Sequence, residues 1–316
     1  MHFVGRVSFS AGMSSRGYIP LLLFYFFWAM MDVDYRWYLL KLKQHEMMIS
    51  QAFTFFRENG IEPILIKGWV AARLYPYGIP RFFGDTDLAV SSSDLAEASR
   101  LCKSIKVRGL SVDLHNELKH LDTVSWEDLV RRSDMVDLDG IGIRVLCPED
   151  HFRVLCVHWL NDGGEHKTKL WDVYYSVQNR GPDFDWNLCL GSVSLTRQRW
   201  IICAVGLAHK YLGLEIDDLP FADEAKRLPQ WLTRTVEREW ASPVRLRQLS
   251  TCLGDRKLFM QQIRKRLPPN PIESTIEMEG SFDSPIRIHY QIGSIAKRII
   301  PSVKSFFYVF GARKKI

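Results

Sequence analysis

The chain has 316 residues, of which 47% are hydrophobic and 25% charged, and this composition excludes a wholly disordered, collagen-like or coiled-coil protein. Its six cysteines form no CxxC pair, so we expect reduced, mostly buried thiols and neither a zinc ribbon nor a disulfide scaffold. The formal net charge is +6, but residues 286–316 alone hold seven basic residues and no acidic one. The basic charge therefore belongs to a C-terminal tail, and no specific nucleic-acid partner is expected.

The N-terminal region contains a long uncharged run. Residues 1–16 are rich in Ser and Gly and are predicted to be disordered, whereas residues 17–31 carry no charge. The run is shorter than the roughly 20 residues that span a bilayer, and no small-residue cleavage site follows it. Two interpretations stay open, namely a buried helix that ends near Asp32 and a membrane-inserting segment. A second helix is predicted from Tyr35 to Asn59, where Gly60 ends it.

Residues 17–146 show the mixture of helical and extended patterns that is typical of an α/β domain. Strands are predicted over 61–66, 85–90 and 110–118, with helical segments over 69–74 and from Ser93 or Asp94 to Lys106. After Pro148 the pattern changes, and helices are predicted over 149–159, 167–178, 196–212 and 222–239. We therefore predict a helical domain over 147–266, a proline-rich linker over 267–285 and a basic amphipathic tail over 286–316.

Acidic residues on two predicted strands carry the strongest chemical signal. Asp85 and Asp87 are two residues apart on one strand, so both carboxylates point to the same face. A D-x-D pattern is short and also occurs at solvated strand ends, but two carboxylates about 7 Å apart favour a cation between them, and their oxygens suit Mg²⁺. Asp113 and His115 share one face of the next strand, which can lie beside the first. Three carboxylates at the meeting of two strands can hold the two divalent ions used in nucleotidyl transfer.

Several short motifs together resemble one known family. In chain order they are Ile64-Leu65-Ile66-Lys67-Gly68, Leu74-Tyr75-Pro76, Arg81, Asp85-Thr86-Asp87-Leu88-Ala89-Val90 and Val112-Asp113-Leu114-His115. These segments resemble the uncharacterised nucleotidyltransferase family of the polymerase-β nucleotidyltransferase superfamily. The resemblance continues through Cys147-Pro148-Glu149-Asp150, His158 and Lys169-Leu170-Trp171-Asp172-Val173, and it extends from about residue 20 to about residue 260.

The resemblance implies a fold and a reaction. The fold class is α+β, with a small mixed sheet backed by helices (a polymerase-β-like nucleotidyltransferase core) and a helical domain after it. The reaction is the metal-dependent transfer of a nucleoside monophosphate from an NTP to an unknown acceptor, which is a small molecule, a sugar-containing molecule or a protein, with release of pyrophosphate. By this resemblance, Asp85 and Asp87 hold two Mg²⁺ (or Mn²⁺) ions, and Asp113 completes the second metal site and helps to deprotonate the acceptor.

The expected grip on the nucleotide departs from the superfamily pattern. Related enzymes place Gly-Ser before the acidic pair, with the Ser on the triphosphate, whereas here Gly68 is followed by Trp69. Lys67 and Gly68 are therefore assigned to phosphate binding, with a plain surface lysine as the alternative. Arg81 is predicted to bind phosphate or to pair with the Asp-x-Asp carboxylates. His115 shares the face of Asp113 and is predicted to make an acceptor-side or a structural hydrogen bond rather than to bind a metal ion.

For the helical domain, the sequence predicts structural roles for one histidine, one aspartate and four tryptophans. His158 and Asp172 are predicted to form a helix-to-helix hydrogen bond that shapes the cleft. Tryptophans in helical contexts are predicted to lie in the core, namely Trp159, Trp171, Trp186 and Trp200.

Two other classes of function stay open. A glycosyltransferase can hold a nucleotide-sugar through a D-x-D motif, although the early position of Asp85 and the nearby Asp113 fit that class less well. A catalytically silent nucleotide-binding or regulatory protein is compatible with the missing Gly-Ser. A phosphatase of the haloacid dehalogenase type is excluded because Leu88-Ala89 follows Asp87 where that motif has Gly-Thr.

The C-terminal tail combines its basic residues with an apolar helical stripe, formed by Val303, Phe306, Phe307 and Phe310. This pattern suits an anionic membrane surface, and the alternative is a helix that folds back onto the helical domain. We predict a cytoplasmic protein with peripheral contact to the inner membrane face through residues 286–316.

Overall fold

The computed structural model describes residues 18–107, 112–118, 124–247, 249–252 and 254–298. Its strands are β1 (Ile64–Ile66), β2 (Thr86–Val90), β3 (Val112–Asn116), β4 (Asp134–Leu138) and β5 (Ile141–Val145). They form one sheet in the order β3-β2-β1-β5-β4. Strand β2 is parallel to β3 and antiparallel to β1, β1 is parallel to β5, and β4 and β5 are antiparallel. The predicted small mixed sheet is therefore confirmed.

Helices back this sheet and then continue without further strands in the described part of the chain. Those before and between the strands are α1 (Tyr18–Glu58), α2 (Gly68–Ala72), α3 (Leu95–Val107) and α4 (Trp126–Arg132). Those after the sheet are α5 (Pro148–Asn161), α6 (Leu170–Gln178), α7 (Trp186–Gly191), α8 (Leu195–Leu212), α9 (Ala222–Lys226), α10 (Gln230–Ala241), α11 (Arg256–Arg266) and α12 (Pro271–Glu277). A last helix is described over 288–298. The predicted α+β class followed by a helical region is confirmed.

The two faces of the sheet contribute to two different hydrophobic cores. Leu65 and Leu88 pack with Phe53 of α1 on one face. Ile64 and Ala89 point the other way and join the core of the helical region around Trp159. Because side chains alternate along a strand, every residue of β2 on the Ala89 face looks toward the helical region.

The β4–β5 hairpin has no counterpart in the sequence interpretation, which predicts no strand over 119–146. Its two-residue loop is Asp139-Gly140, and both residues have positive φ, 54° and 83°. Asp-Gly favours this tight turn because glycine has no Cβ and aspartate tolerates the left-handed region. The Asp-Gly pair between two β-branched runs is the sequence signal that identifies this hairpin.

The N-terminal helices are continuous, whereas the sequence predicts two of them separated near Asp32. Helix α1 runs from Tyr18 to Glu58. The prediction of a break is wrong because no Gly or Pro lies between Met31 and Tyr35, and two aspartates alone do not end a helix. The disorder predicted for residues 1–16 lies outside the described residues, and the choice between burial and membrane insertion for 17–31 rests on side chains outside them. No described helix combines the length and apolarity needed to cross a membrane.

The helix predicted over 222–239 is wrong as a single element. Helix α9 ends at Lys226 and α10 begins at Gln230. Pro229 lies between them, and proline disfavours helical geometry in the residue before it and lacks the N–H that a continuous helix needs.

The segment 267–285 differs from the predicted proline-rich linker. It contains α12, whose N-terminus is capped by the Asn270 side chain, which accepts a hydrogen bond from the Ile272 N–H at 2.8 Å. Ile272, Ile276 and Phe282 are buried in the core of the helical region. The prolines were misleading because Pro271 occupies the first helical position, where its missing N–H costs nothing.

The described part of the tail docks on this same segment. The buried Ser294 hydroxyl donates to Glu277 at 2.5 Å, and the Arg298 guanidinium donates to Glu273 at 2.7 Å. Ile288 and Ile292 remain exposed. The predicted apolar stripe of residues 303–310 lies outside the described residues. All six cysteines are buried thiols, as expected.

Candidate functional site

The acidic residues meet at the boundary between the sheet and the helical region. In the parallel register of β2 and β3, Asp87 lies beside Asp113 and Ala89 beside His115. Asp87 and Ala89 share one face of β2, so the carboxylate is on the side of the helical region. The predicted approach of the second strand to the first is observed. The register follows from burial, because a slip of one residue would turn the apolar residues Leu88 and Val90 out of their core.

A compact group of ligand atoms results. Nε2 of His115 lies 2.8 Å from Oδ1 of Asp87 and 3.5 Å from Oδ2 of Asp113. One donor atom from each of these three residues falls within 4.8 Å of the others, a spacing that suits a metal ion. Asp87 is buried, whereas the Asp113 side chain is 59% exposed. The group, called the acidic cluster below, is therefore closed on the side of the sheet and accessible from the cleft.

Lys67 reaches into the acidic cluster from the end of β1. Its ammonium donates to Oδ1 of Asp87 at 2.9 Å and lies 3.3 Å from Nε2 of His115. Lys67 has a φ of 57°, which is a strained backbone conformation for a residue other than glycine. The alternative of a plain surface lysine is wrong, since the Lys67 side chain is only 10% exposed.

Behind this strained turn lies a residue that the sequence interpretation set aside. His151 of α5 is buried, and its Nε2 has no hydrogen-bond partner within the described structure. The imidazole is hydrogen-bonded to the backbone of Lys67. Burial lowers the pKa of His151 to about 4, although the negative charge of Asp172 acts to raise it. The imidazole is therefore neutral at pH 7 and holds the turn from which Lys67 projects. Nothing in the local sequence distinguishes it from other histidines of a helix.

The electrostatic balance keeps Asp87 ionised. Burial by itself would raise the pKa of Asp87, but the hydrogen bond with His115 and the charge of Lys67 outweigh it and lower the pKa below its usual value. A buried carboxylate that stays charged at neutral pH is a suitable ligand for a cation.

Asp85 and Gly68 line the same cleft without joining the acidic cluster. Asp85 is exposed and precedes the first residue of β2, and Gly68 is the first residue of α2. Both border the cleft together with Asp87 and Asp113. The shared face predicted for Asp85 and Asp87 depends on regular strand geometry, and the strand begins only at Thr86.

Arg81 pairs with a different acid from the predicted ones. Its guanidinium makes two hydrogen bonds to Asp172 of α6, at 3.0 and 2.7 Å, and the Tyr75 hydroxyl donates to the same carboxylate at 2.7 Å. The predicted pairing of Arg81 with Asp85 or Asp87 is therefore wrong. Such a bidentate pair fixes the loop that carries Arg81 against the helical region.

The predicted hydrogen bond between His158 and Asp172 is also wrong. His158 instead lies near Asp162, one turn along α5, with Nε2 and Oδ2 3.6 Å apart. Burial lowers the pKa of His158, so this imidazole is neutral at pH 7. The same Asp162 accepts a hydrogen bond from Lys169 at 2.8 Å. Both histidine and lysine therefore belong to the wall of the cleft that faces the acidic cluster.

The cleft itself has a volume of about 880 Å³ and contains three kinds of wall. The first is acidic and carries Asp85, Asp87 and Asp113; the second is basic and carries Lys67, His158 and Lys169; the third is aromatic and carries Tyr75, Trp171 and Tyr175. A cavity of this size accommodates a small-molecule ligand with a charged and a planar part.

The aromatic wall corrects one prediction about the tryptophans. Trp159 and Trp200 are fully buried in the core, as expected. Trp171 instead borders the cleft, one helical turn before Tyr175, with ring centroids 5.5 Å apart and planes inclined by 25°. The spacing i, i+4 puts both rings on one side of α6. We call this pair the aromatic ledge.

The chain is similar to known proteins over part of its length. No curated protein matches the chain. The solved structures include an antigenic nucleotidyltransferase-like protein from Paracoccidioides brasiliensis, which is similar at 13% identity with a TM-score of 0.39 over 57% of this chain and 91% of that one. Residues 99–213 match the model of a family described as uncharacterised nucleotidyltransferase.

The family match covers β3 with Asp113 and His115 and continues to the end of α8, whereas Asp85 and Asp87 precede it. It is shorter than the predicted resemblance over about 20–260. Within those limits the prediction is confirmed: residues 99–213 of this chain carry the sequence pattern of the uncharacterised nucleotidyltransferase family.

Proposed function

We propose that the protein is a metal-dependent nucleotidyltransferase that moves a nucleoside monophosphate from an NTP to an acceptor and releases pyrophosphate. The observation that carries the proposal is the acidic cluster, in which Asp87, Asp113 and His115 converge on adjacent parallel strands at the border of a large cleft. The match of residues 99–213 to a nucleotidyltransferase family supports it.

The donor set fits a divalent cation. Two carboxylates suit Mg²⁺ or Mn²⁺, and the imidazole of His115 adds a nitrogen donor that Mn²⁺ accepts more readily than Mg²⁺. Asp85, exposed at the border of the same cleft, is proposed as a further ligand. When bound, the ion neutralises charge on the transferring phosphoryl group and orients it.

The protein's own residues then have distinct tasks. Lys67 would exchange its contact with Asp87 for the phosphate oxygens of the NTP once a metal ion neutralises that carboxylate. The acceptor oxygen attacks the α-phosphorus, and the bond from this phosphorus to the bridging oxygen of pyrophosphate breaks. Asp113, the most exposed member of the acidic cluster, takes the acceptor's proton.

For the remaining predicted residues we propose roles from their positions and contacts in the cleft. Gly68 borders the phosphate region beside Lys67 and is proposed to contact the nucleotide there. Arg81 is proposed to act through Asp172, which it holds in place, and not by binding phosphate itself. His115 is proposed to bind the metal ion, because its Nε2 faces both carboxylates.

The direct test is transfer of label from α-phosphate-labelled NTPs with Mg²⁺ or Mn²⁺, using the purified chain alone or with cell extract. Label on a small molecule, a sugar-containing molecule or a protein supports the proposal, and label on the chain itself indicates protein nucleotidylation. Label that transfers only from a supplied nucleotide-sugar would favour a glycosyltransferase and contradict it.

Asp113→Ala separates the role of the proposed base from that of a binding ligand. We expect the rate to fall by roughly 10²-fold or more with little change in NTP affinity, because a base acts in the transition state. A change confined to the apparent NTP affinity would assign Asp113 to binding instead.

A catalytically silent nucleotide-binding protein is the second candidate, and the Lys67 contact favours it. The ammonium already neutralises Asp87, so the buried carboxylate of the acidic cluster has a counter-ion without a metal ion. In that case NTP binds with the same affinity in the presence and absence of divalent metal, and no label is transferred.

The membrane contact of the tail is proposed for residues beyond 298. The cations of the described part are engaged, since Arg298 pairs with Glu273 and Glu277, whereas Ile288 and Ile292 stay exposed. Co-sedimentation with anionic vesicles should therefore be lost in a chain truncated after Arg298, which keeps the docked helix. Equal sedimentation of the truncated and full-length chains at low salt would contradict the proposal.

A further inference from the structure

We propose that the aromatic ledge, Trp171 and Tyr175 of α6, is the binding site for the nucleobase of the donor nucleotide. This inference rests on the proposed function and extends it, because it names the part of the substrate that each wall of the cleft receives. It starts from the finding that Trp171 lines the cleft and is half-buried, whereas Trp159, which also contributes to the lining, and Trp200 are almost completely buried.

The geometry of the ledge suits a flat ring. The Trp171 and Tyr175 rings are stacked, with centroids 5.5 Å apart and planes 25° from parallel, and both line the cleft, so a nucleobase can extend this stack. Tyr75 closes one end, with its ring centroid 4.5 Å from that of Tyr175. All three side chains are only partly buried. Every nucleobase has a π-face, so stacking on such a surface does not depend on base identity.

The ledge is held rigidly in place. The Tyr75 hydroxyl donates to Asp172 at 2.7 Å, and Arg81 binds the same carboxylate with two further hydrogen bonds. Asp172 lies on α6 between the two ledge residues, so this network ties the loop of Tyr75 to the helix that carries the ledge. Preorganisation of this kind reduces the entropy lost when a ligand binds.

The order of residues along α6 sets the direction of the nucleotide. Lys169 immediately precedes α6, and His158 of α5 is close enough to Lys67 and Asp87 for their charges to act on its imidazole. Lys67 and Lys169 thus supply positive charge to the end of the cleft nearest the acidic cluster, whereas Trp171 and Tyr175 follow toward the C-terminus of α6. A triphosphate at the basic end and a base on the ledge match this order.

The test compares a triphosphate probe that carries a nucleoside with one that carries none. Binding of α,β-methylene nucleotides (one purine and one pyrimidine) and of inorganic tripolyphosphate is measured by calorimetry in Mn²⁺. We expect Trp171→Ala to weaken binding of both nucleotides at least about fivefold and to leave tripolyphosphate binding unchanged. Trp171→Phe, which keeps an aromatic face, should bind nucleotide nearly as well as the wild type.

Trp37→Ala serves as the matched control, because Trp37 is an exposed tryptophan of α1 away from the cleft. It should bind both probes like the wild type, and circular dichroism should show every variant folded. Unchanged nucleotide affinity in Trp171→Ala overturns the ledge, as does an equal loss for tripolyphosphate. Unchanged nucleotide affinity with a raised KM for the acceptor also overturns it and assigns the ledge to the acceptor.

The two proposals fail in different ways. If the wild-type chain binds neither probe in Mn²⁺, the proposed function is contradicted and the ledge with it. If the wild type and Trp171→Ala bind both probes equally well, the ledge alone is contradicted and the acidic cluster keeps its role.

Discussion

Two carboxylates of this molecule are each held by two cationic or proton-sharing side chains, and they differ in what surrounds them. Asp87 contacts Lys67 and His115 at the edge of the cleft. Asp150 of α5 is fully buried, binds Arg132 of α4 through two hydrogen bonds of 2.5 Å, and also contacts the fully buried Arg153. The first group opens to the cleft through the exposed Asp113, whereas the second has no comparable outlet.

The chemistry of the partners matches this difference. Arginine binds a carboxylate with a planar fork and stays charged, so Arg132 and Arg153 make a fixed connection between helices. Lysine is a mobile point charge and histidine binds metal ions, so the partners of Asp87 can be exchanged for a ligand. We therefore interpret Asp150 as structural and Asp87 as functional, and four predictions test this contrast.

The largest effect is expected at the acidic cluster. Asp87→Asn and Asp85→Asn should each reduce metal-dependent transfer below detection, because loss of one negative charge weakens the metal site while the apolar strand keeps its packing. Transfer is measured with α-labelled NTP, and circular dichroism should show an unchanged fold. Asp183→Asn, an exposed aspartate between α6 and α7, is the control and should stay active. Full activity of either cleft variant would contradict the metal site.

Asp150→Asn should lower the stability of the fold and leave the metal site intact. Removing the charge leaves Arg153 buried without a counter-ion, so we expect the free energy of unfolding to fall by about 3–5 kcal/mol. Chemical denaturation measures this loss. The folded fraction should bind Mn²⁺ with wild-type affinity, and a selective loss of metal binding would show that Asp150 belongs to the functional site after all.

His151→Phe should change the pH dependence of stability. The native pKa of His151 is lowered from 6.5 to about 4, so the unfolded chain binds more protons in this interval and stability is lost as the pH falls through it. The contribution is about 3 kcal/mol. We expect the variant to lose less stability between pH 6.5 and pH 4 than the wild type. Identical pH profiles would show that this histidine is not a buried neutral group.

Lys67→Met should give the smallest effect, and in two directions. Without a competing ammonium at Asp87, Mn²⁺ affinity in the absence of nucleotide should rise on the order of tenfold. Tripolyphosphate affinity should fall, because a phosphate contact is lost. Lys169→Met removes a cleft lysine that pairs with Asp162 and not with Asp87, so its Mn²⁺ affinity should be unchanged. Weaker Mn²⁺ binding in Lys67→Met would contradict the proposal that Lys67 exchanges its contact with Asp87 for the phosphate oxygens of the NTP.

Much of the site was accessible from local patterns. The period-two alternation of Val112-Asp113-Leu114-His115 placed Asp113 and His115 on one strand face, and the register with β2 agrees. The contacts between oppositely charged groups were not accessible in this way. Arg81 meets Asp172 across 91 residues of chain, whereas the nearer acids that the sequence suggested are engaged elsewhere or exposed.

The sequence by itself therefore determined the identity and order of the strands near the acids, the position of Lys67 at a strand end, and the buried cysteines, because burial pattern and turn chemistry are local properties. Only the tertiary structure decided which cation pairs with which carboxylate and that Trp171 is a half-buried residue of the cleft and not a core residue like Trp200. It also decided that residues 271–277 form a helix packed in the core. These outcomes depend on contacts between segments that are far apart in the chain. A charged or apolar side chain can pair with several partners, and only the folded arrangement determines which partner lies next to it.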